Sequence, residues 1–220
     1  DPGLFEYLLT KFSTPEEIFG PLSISALKED RFSRNTAGYL PTVKIAFLDG
    51  IFKASSSILN ALLTILNERR YHNGAQAQDV PLRSLIAASN ELPADQDDPG
   101  ALYDRFLVRR FVDYVSPDKL AQLFEEPDAA PLPATLDAET LANIDALAKA
   151  VTIPPHVISA VQRIWKTHRE IFREDRRESL SDRRLKKVIG LMKVSAATND
   201  RHELDLSDVF RAAPGAGEGE

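Results

Sequence analysis

The sequence predicts an α/β fold, a parallel sheet with crossover helices, continued by a part that is helical throughout. Three observations carry this. Two short apolar runs, VKIAFL at residues 43–48 and LRSLIAAS at 82–89, lack strict alternation, the pattern of parallel strands covered on both faces. Between them, SSSILNALLTILNERR repeats Ile58, Leu62, Ile65 and Leu66 at helical spacing behind a serine cluster suited to an N-cap, which completes a strand–helix–strand unit. The segment EEPDAAPLPAT at 125–135 is rich in Pro and Ala, a linker composition that sets this half apart from the helical remainder.

The other elements follow in chain order. FGPLSISALKEDRFSRNTAGYLP at 19–41 reads as an insertion with turn residues at both ends. RRYHNGAQAQDVPLR at 69–83 carries an Asn73-Gly74 turn between short runs and reads as a β-hairpin placed between helix and strand. Beyond the linker, helices are expected over 137–151, 154–173, 181–197 and 207–212, each opening at a cap residue or an early proline. The expected division is an α/β core at 1–115, a linker at 116–135, a helical domain at 136–212 and a disordered tail at 213–220.

Composition narrows the function classes. The 220 residues are 43% hydrophobic and 27% charged, with a formal net charge of −6, so the basic balance that accompanies non-specific nucleic-acid binding is missing. There is no cysteine, which excludes disulfides, thiol catalysis and Cys-ligated metal and fits a reducing, cytoplasmic setting. No apolar run approaches the roughly 20 residues that span a bilayer.

The candidate chemistry sits at strand ends. Asp49 closes a buried strand, and the carboxyl ends of parallel strands are where open α/β sheets hold ligands. In nucleotide hydrolases such a carboxylate holds a magnesium ion through its water shell, and the next acidic residue orients the attacking water. The plainer alternative is that Asp49 caps the following helix. Asn90 ends the next apolar strand, where it could bond a γ-phosphate or a water, or simply form a turn. Arginines cluster in ALYDRFLVRRFVDYV at 101–115 and open the helix at SDRR, 181–184; each could pair with a neighbouring aspartate or reach a phosphate.

Five blocks in one order carry a resemblance: FSTPEEIFGPLSISALK, GYLPTVKIAFLDGIFKASSSILNALLTILNERRYHNG, IAASNELP, ALYDRFLVRRFV and LSDRRLKKVIGLMKVSA. Together they resemble the AAA+ ATPases of the MoxR family, most closely the regulatory ATPase variant A (RavA) subgroup. The resemblance implies a P-loop NTPase-type three-layer α/β core, truncated at its N-terminus, and a small all-α lid domain. It implies ATP and Mg2+ as cofactors, with Asp49 as the Walker B aspartate and magnesium site, Asn90 as sensor 1, Arg105 as the arginine finger and Arg183 as sensor 2. Arg109, Arg110 and Arg184 are the near misses that a shifted alignment would promote. The two insertions match the helix 2 insert and the pre-sensor 1 hairpin. The implied activity is ATP-driven remodelling or maturation of a protein client by a homo-oligomeric, hexameric ring, with a partner bearing a von Willebrand factor A domain; nucleic acid is not the expected partner.

Two departures from the family pattern matter. No G-x-x-x-x-G-K-[ST] run occurs in the 220 residues, so the chain is expected to begin after the loop that cradles the phosphates. Gly50 stands where the family has the glutamate that polarises water, and loss of a general base costs roughly 100- to 10,000-fold in rate. A non-hydrolysing scaffold is the alternative these departures motivate. Restoring the carboxylate with Gly50→Glu in a chain that carries the phosphate-cradling loop is expected, on the sequence alone, to raise turnover with little effect on nucleotide affinity, since only the water-activating group is altered.

Overall fold

In the computed structural model, which describes residues 3–92, 98–124, 135–173 and 180–211, the chain divides into two units, Asp1–Phe106 and Leu107–Glu220. The strands are β1 (Leu4–Leu8), β2 (Ile45–Asp49), β3 (Arg70–Asn73), β4 (Gln76–Asp79) and β5 (Ser84–Ala87). The helices of the first unit are α1 (Pro15–Phe19), α2 (Ile24–Lys28), α3 (Ser56–Glu68) and α4 (Asp98–Tyr103).

A parallel sheet in the order β1-β2-β5 forms the first unit's scaffold. Strand β1 adds to what the sequence analysis singled out: LFEYL is short, lies at the start of the chain and is interrupted by Glu6. Its register on β2 runs from Leu4 opposite Ile45 to Leu8 opposite Asp49, and β2 in turn sets Ile45 opposite Ser84 and Leu48 opposite Ala87.

Burial alternates along these strands, although their sequences do not alternate in polarity. Phe5, Ala46 and Leu48 are buried, whereas Leu4 is 62% exposed, Leu8 62%, Ile45 46% and Ile86 55%. Topology supplies the reason. Both connections, β1 to β2 and β2 to β5, step across the sheet in the same direction, and right-handed crossovers that step the same way lie on the same face. The expectation that these strands are covered on both faces therefore holds, among the described residues, for one face only.

On the covered face, α3 presents Ile58, Leu59, Leu62 and Ile65, all at most 1% exposed, to a core that includes Phe5, Leu9, Ala46 and Leu48. Helix α1 contributes Ile18 and Phe19 to the same core. The Glu17 side chain accepts a hydrogen bond from the Thr14 N–H at 2.7 Å, fixing the first turn of α1.

The two insertions are built against each other. The β3–β4 hairpin reverses at Asn73-Gly74 as expected. The Asn73 side chain both accepts from the Arg34 N–H at 2.6 Å and donates to the Arg34 carbonyl at 3.0 Å. Tyr71 stacks on Phe19 with ring centroids 5.1 Å apart, and Arg34 ion-pairs with Glu16 at 2.8 Å. One clasp thus ties the hairpin, the stretch after α2, and α1.

The second unit contains α5 (Ala138–Ala150), α6 (Pro155–Ile171), α7 (Asp182–Ala197) and α8 (Leu206–Arg211), within a residue or two of the expected bounds. Asp137 caps α5 by accepting from the Thr140 N–H at 2.7 Å, and Ser181 caps α7 through the Arg184 N–H at 3.2 Å. A core of Ala148, Val151, Val157, Val188, Met192, Ala196 and Leu204 is closed by a short parallel bridge between Thr152 and Glu203. Beneath it, Asp208 is fully buried and receives both terminal nitrogens of Arg201 at 2.6 Å each, the Ser195 hydroxyl at 2.9 Å and the Asp205 N–H at 3.0 Å.

The expected tail at 213–220 and the linker core at 125–134 lie outside the described residues. No described helix is long and apolar enough to cross a membrane.

Candidate functional site

Asp49 is the last residue of β2, flanked by the carboxyl ends of both neighbouring strands. On one side the Leu9 N–H donates to the Asp49 carbonyl at 2.8 Å. On the other, the Ala88 N–H donates to the Leu48 carbonyl at 2.9 Å and the Ile51 N–H to the Ala88 carbonyl at 3.2 Å. The backbone around Asp49 is therefore pinned from left and right, and its partly exposed side chain stands at the rim where the strands end.

One carboxylate oxygen of Asp49 accepts from the N–H of Gly50 at 2.7 Å. This bond orients the group while leaving its second oxygen for a ligand. Magnesium is typically bound by one or two carboxylates together with waters and substrate phosphates. Asp49 fits that role as a single protein ligand; among the described residues no cluster of three or more His, Asp or Glu forms a self-sufficient metal cage.

Asn90 follows two residues after Ala88, beyond the strand paired with β2, and is exposed. The Ser89 hydroxyl shapes its turn, donating to the Glu91 carbonyl at 2.8 Å and accepting from the Glu91 N–H at 3.2 Å. Asp49, at the end of β2, and Asn90, in the turn that follows the adjacent β5, thus lie toward the same rim of the sheet.

The position after Asp49 is a finding of its own. Gly50 has φ +66°, in the left-handed region, and a β-carbon there would lie 2.6 Å from the backbone carbonyl oxygen of Leu9. The tight turn from β2 into the 3-10 segment Ile51–Lys53 is thus packed against the end of β1. This corrects the expectation that Gly50→Glu would act only on water activation: any side chain at residue 50 must first displace backbone. Sequence reading could not see the constraint because it comes from Leu9, a neighbour forty-one residues away that joins only when β1 pairs with β2.

Arg105 follows α4, and its side chain is 13% exposed. Its Nε donates to the Asn67 side-chain oxygen at 2.7 Å and its Nη1 to the Asp104 carboxylate at 3.0 Å. Asn67, on the last turn of α3, is a participant the sequence reading did not single out, since an exposed asparagine near a helix end carries no signal of its own.

Among the other arginines, Arg110 is exposed and Arg109 partly buried. In the second unit, on the first turn of α7, Arg184 turns inward with 1% exposure whereas Arg183 is exposed. Of that adjacent pair, Arg183 is the one presented to solvent.

The chain is similar to known proteins along most of its length. Residues 1–148 match the model of the MoxR domain in the MoxR-vWA-beta-propeller ternary systems, and residues 159–212 match that of an AAA lid domain. Two uncharacterized proteins of Methanocaldococcus jannaschii are 43% and 44% identical to the chain over 210 residues, covering 93% of it. The chain spans only 53% and 54% of their lengths. The structural protein ORF618 of Acidianus two-tailed virus is 32% identical over 113 residues, 51% of this chain and 18% of that protein. A crystal structure from Cytophaga hutchinsonii, provisionally named an ATPase, shares the fold with a TM-score of 0.62 at 15% identity, covering 96% of this chain and 67% of that one.

Proposed function

Because the chain belongs to the MoxR family of AAA+ ATPases, we propose that it is the nucleotide-hydrolysing and lid portion of an ATP-driven remodeller of protein clients. The observation that carries the reading is the placement of Asp49 at the end of β2, with Asn90 three residues beyond the end of the adjacent β5 at the same sheet rim. Magnesium, when bound with ATP, would supply charge neutralisation between the β- and γ-phosphates. Asp49 would hold it through the carboxylate oxygen not engaged by the Gly50 N–H. Asn90 would donate its amide to the γ-phosphate or to the attacking water. Arg183, exposed at the start of α7, would place a guanidinium on the phosphates from the lid.

The phosphate-cradling loop is absent from these 220 residues, so the reading concerns the natural gene product that contains them. The proposed assembly is a hexameric ring in the cytoplasm, RavA-like in type, with the Asn73-clasped insertions exposed to a client. A partner bearing a von Willebrand factor A domain fits the ternary systems for which the matched domain model is named. The Arg105 guanidinium would then act on the nucleotide of the adjoining subunit.

The reading is tested on the natural gene product that contains these residues. Magnesium-dependent release of phosphate from ATP, rising with protein concentration as rings assemble, is the expected result. Tight ATP binding with no release would instead favour a non-hydrolysing scaffold, as the missing Walker B glutamate would allow.

A further inference from the structure

We propose that Asn67 is the positioning residue for Arg105. The inference rests on the nucleotide reading above, in which Arg105 serves the adjoining copy's phosphate, and adds to it a residue.

The direction follows from α3. This helix begins at Ser56, one short turn beyond Asp49, at the carboxyl rim of the sheet. Its far end leads through the hairpin to Arg83, whose N–H donates to the Lys44 carbonyl at 2.7 Å, at the opposite rim where β2 begins. Helix α3 therefore runs from one rim to the other. Ser56 and Asn67 are separated by about 16 Å along its axis at 1.5 Å per residue. Since the Arg105 Nε is bonded to Asn67 at 2.7 Å, the guanidinium is held near the end of α3 remote from its own Asp49. It and Asp49 cannot meet on one γ-phosphate within a single copy, so a phosphate role for Arg105 requires the adjoining copy's nucleotide.

The positioning follows from the chemistry of the two bonds. Arginine carries about 2 kcal/mol of rotamer entropy that a free side chain would lose on meeting a phosphate. Asp104, adjacent in sequence, supplies a charge partner for Nη1 at 3.0 Å. Asn67 belongs to α3, the helix packed directly on the sheet core, and its neutral amide oxygen fixes the Nε direction without cancelling the positive charge. Asn67 is itself exposed and packs in no core, so its removal should leave the fold intact.

The experiment measures steady-state ATP hydrolysis and nucleotide binding in the natural gene product carrying Asn67→Ala, Asn67→Asp, Arg105→Ala, and Asn67→Ala with Arg105→Ala. A misplacement of about 1 Å can cost on the order of 100-fold in rate, so Asn67→Ala should lower kcat by about tenfold or more with KM and melting temperature nearly unchanged. Asn67→Asp keeps the acceptor but sets a second carboxylate on the guanidinium, so it should recover only part of the rate. In the Arg105→Ala background, Asn67→Ala should do nothing further. Mixing Asp49→Ala subunits with Arg105→Ala subunits should restore hydrolysis at the junctions where an intact Asp49 site meets an intact Arg105. Wild-type kcat in Asn67→Ala alongside inactive Arg105→Ala overturns the positioning role and leaves the nucleotide reading standing. Full activity of Arg105→Ala overturns the nucleotide role of that arginine itself. Additive losses in the double variant, or no recovery on mixing, overturn the coupling and the direction respectively.

Discussion

The Leu9 carbonyl oxygen lies 2.6 Å from where a β-carbon on residue 50 would stand, which makes Gly50 a condition of the turn that presents Asp49. The glycine after the aspartate is therefore built into the geometry of the rim. A non-glycine residue held at positive φ costs on the order of 1–3 kcal/mol, and here it must also push the end of β1 aside. Gly50→Ala and Gly50→Glu should both lower the midpoint of urea denaturation, with Gly50→Glu lowering magnesium-nucleotide affinity through displacement of Asp49. Unchanged stability of both variants would show that the turn relaxes freely.

A second glycine makes the insertion clasp testable. A β-carbon on Gly74, at φ +64°, would fall 1.7 Å from the Phe32 carbonyl oxygen, so Gly74→Ala should undock the hairpin tip. Asn73→Ala removes two hydrogen bonds to Arg34 and should cost about 1–2 kcal/mol. Hydrogen exchange at the Arg34 amide is the local readout: accelerated exchange in both variants, with the α3 core still protected, is the expected outcome.

Asp208 sets an acid limit on the second unit. The hydrogen bonds from Arg201, aided by those from the Asp205 N–H and Ser195, lower its pKa from 3.8 to about 2 against the opposing effect of burial. Because the folded value lies below the unfolded one, the contribution is fully present above pH 3.8 and is lost as pH falls through about 2. A shift of this size corresponds to about 2 kcal/mol at 1.36 kcal/mol per unit. Asp208→Asn should destabilise by that order at pH 7 and show a shallower dependence below pH 4 than the parent chain. Identical acid limbs for the two proteins would place the sensitivity elsewhere.

Arg105→Ala should abolish only the hydrolysis that depends on assembly. The prediction follows from the position of the guanidinium at the far end of α3, and sedimentation velocity run beside the activity assay separates loss of the arginine from loss of the ring. Activity that persists in assembled Arg105→Ala protein would contradict the assignment.

Much of this arrangement is legible in the sequence because it is local. The spacing of Ile58, Leu62 and Ile65 announces α3, Asn73-Gly74 announces the hairpin, and Ser181 announces the start of α7, each through contacts within a few residues. Asp49 is legible as a strand end for the same reason, whereas Asn90, expected to end the next strand, lies three residues beyond Ala87, where β5 stops. What escapes is nonlocal. The pairing of LFEYL with β2, the Leu9 oxygen behind Gly50, the Asn67 bond to Arg105 and the inward turn of Arg184 all depend on residues brought together only by folding. The exposed face of Leu4, Leu8, Ile45 and Ile86 escapes because apolar composition reports what a strand can bury and not which segments cover it.

The most direct test is a comparison of the natural gene product with its Asp49→Ala variant for magnesium-dependent ATP hydrolysis at matched assembly state. Loss of a metal ligand at the reacting phosphate removes several kcal/mol of transition-state stabilisation, so the rate should fall by roughly 100-fold or more while the circular dichroism spectrum is retained. A variant that hydrolyses ATP at the parent rate, with the same magnesium dependence, would contradict the assignment of this sheet rim as the nucleotide site.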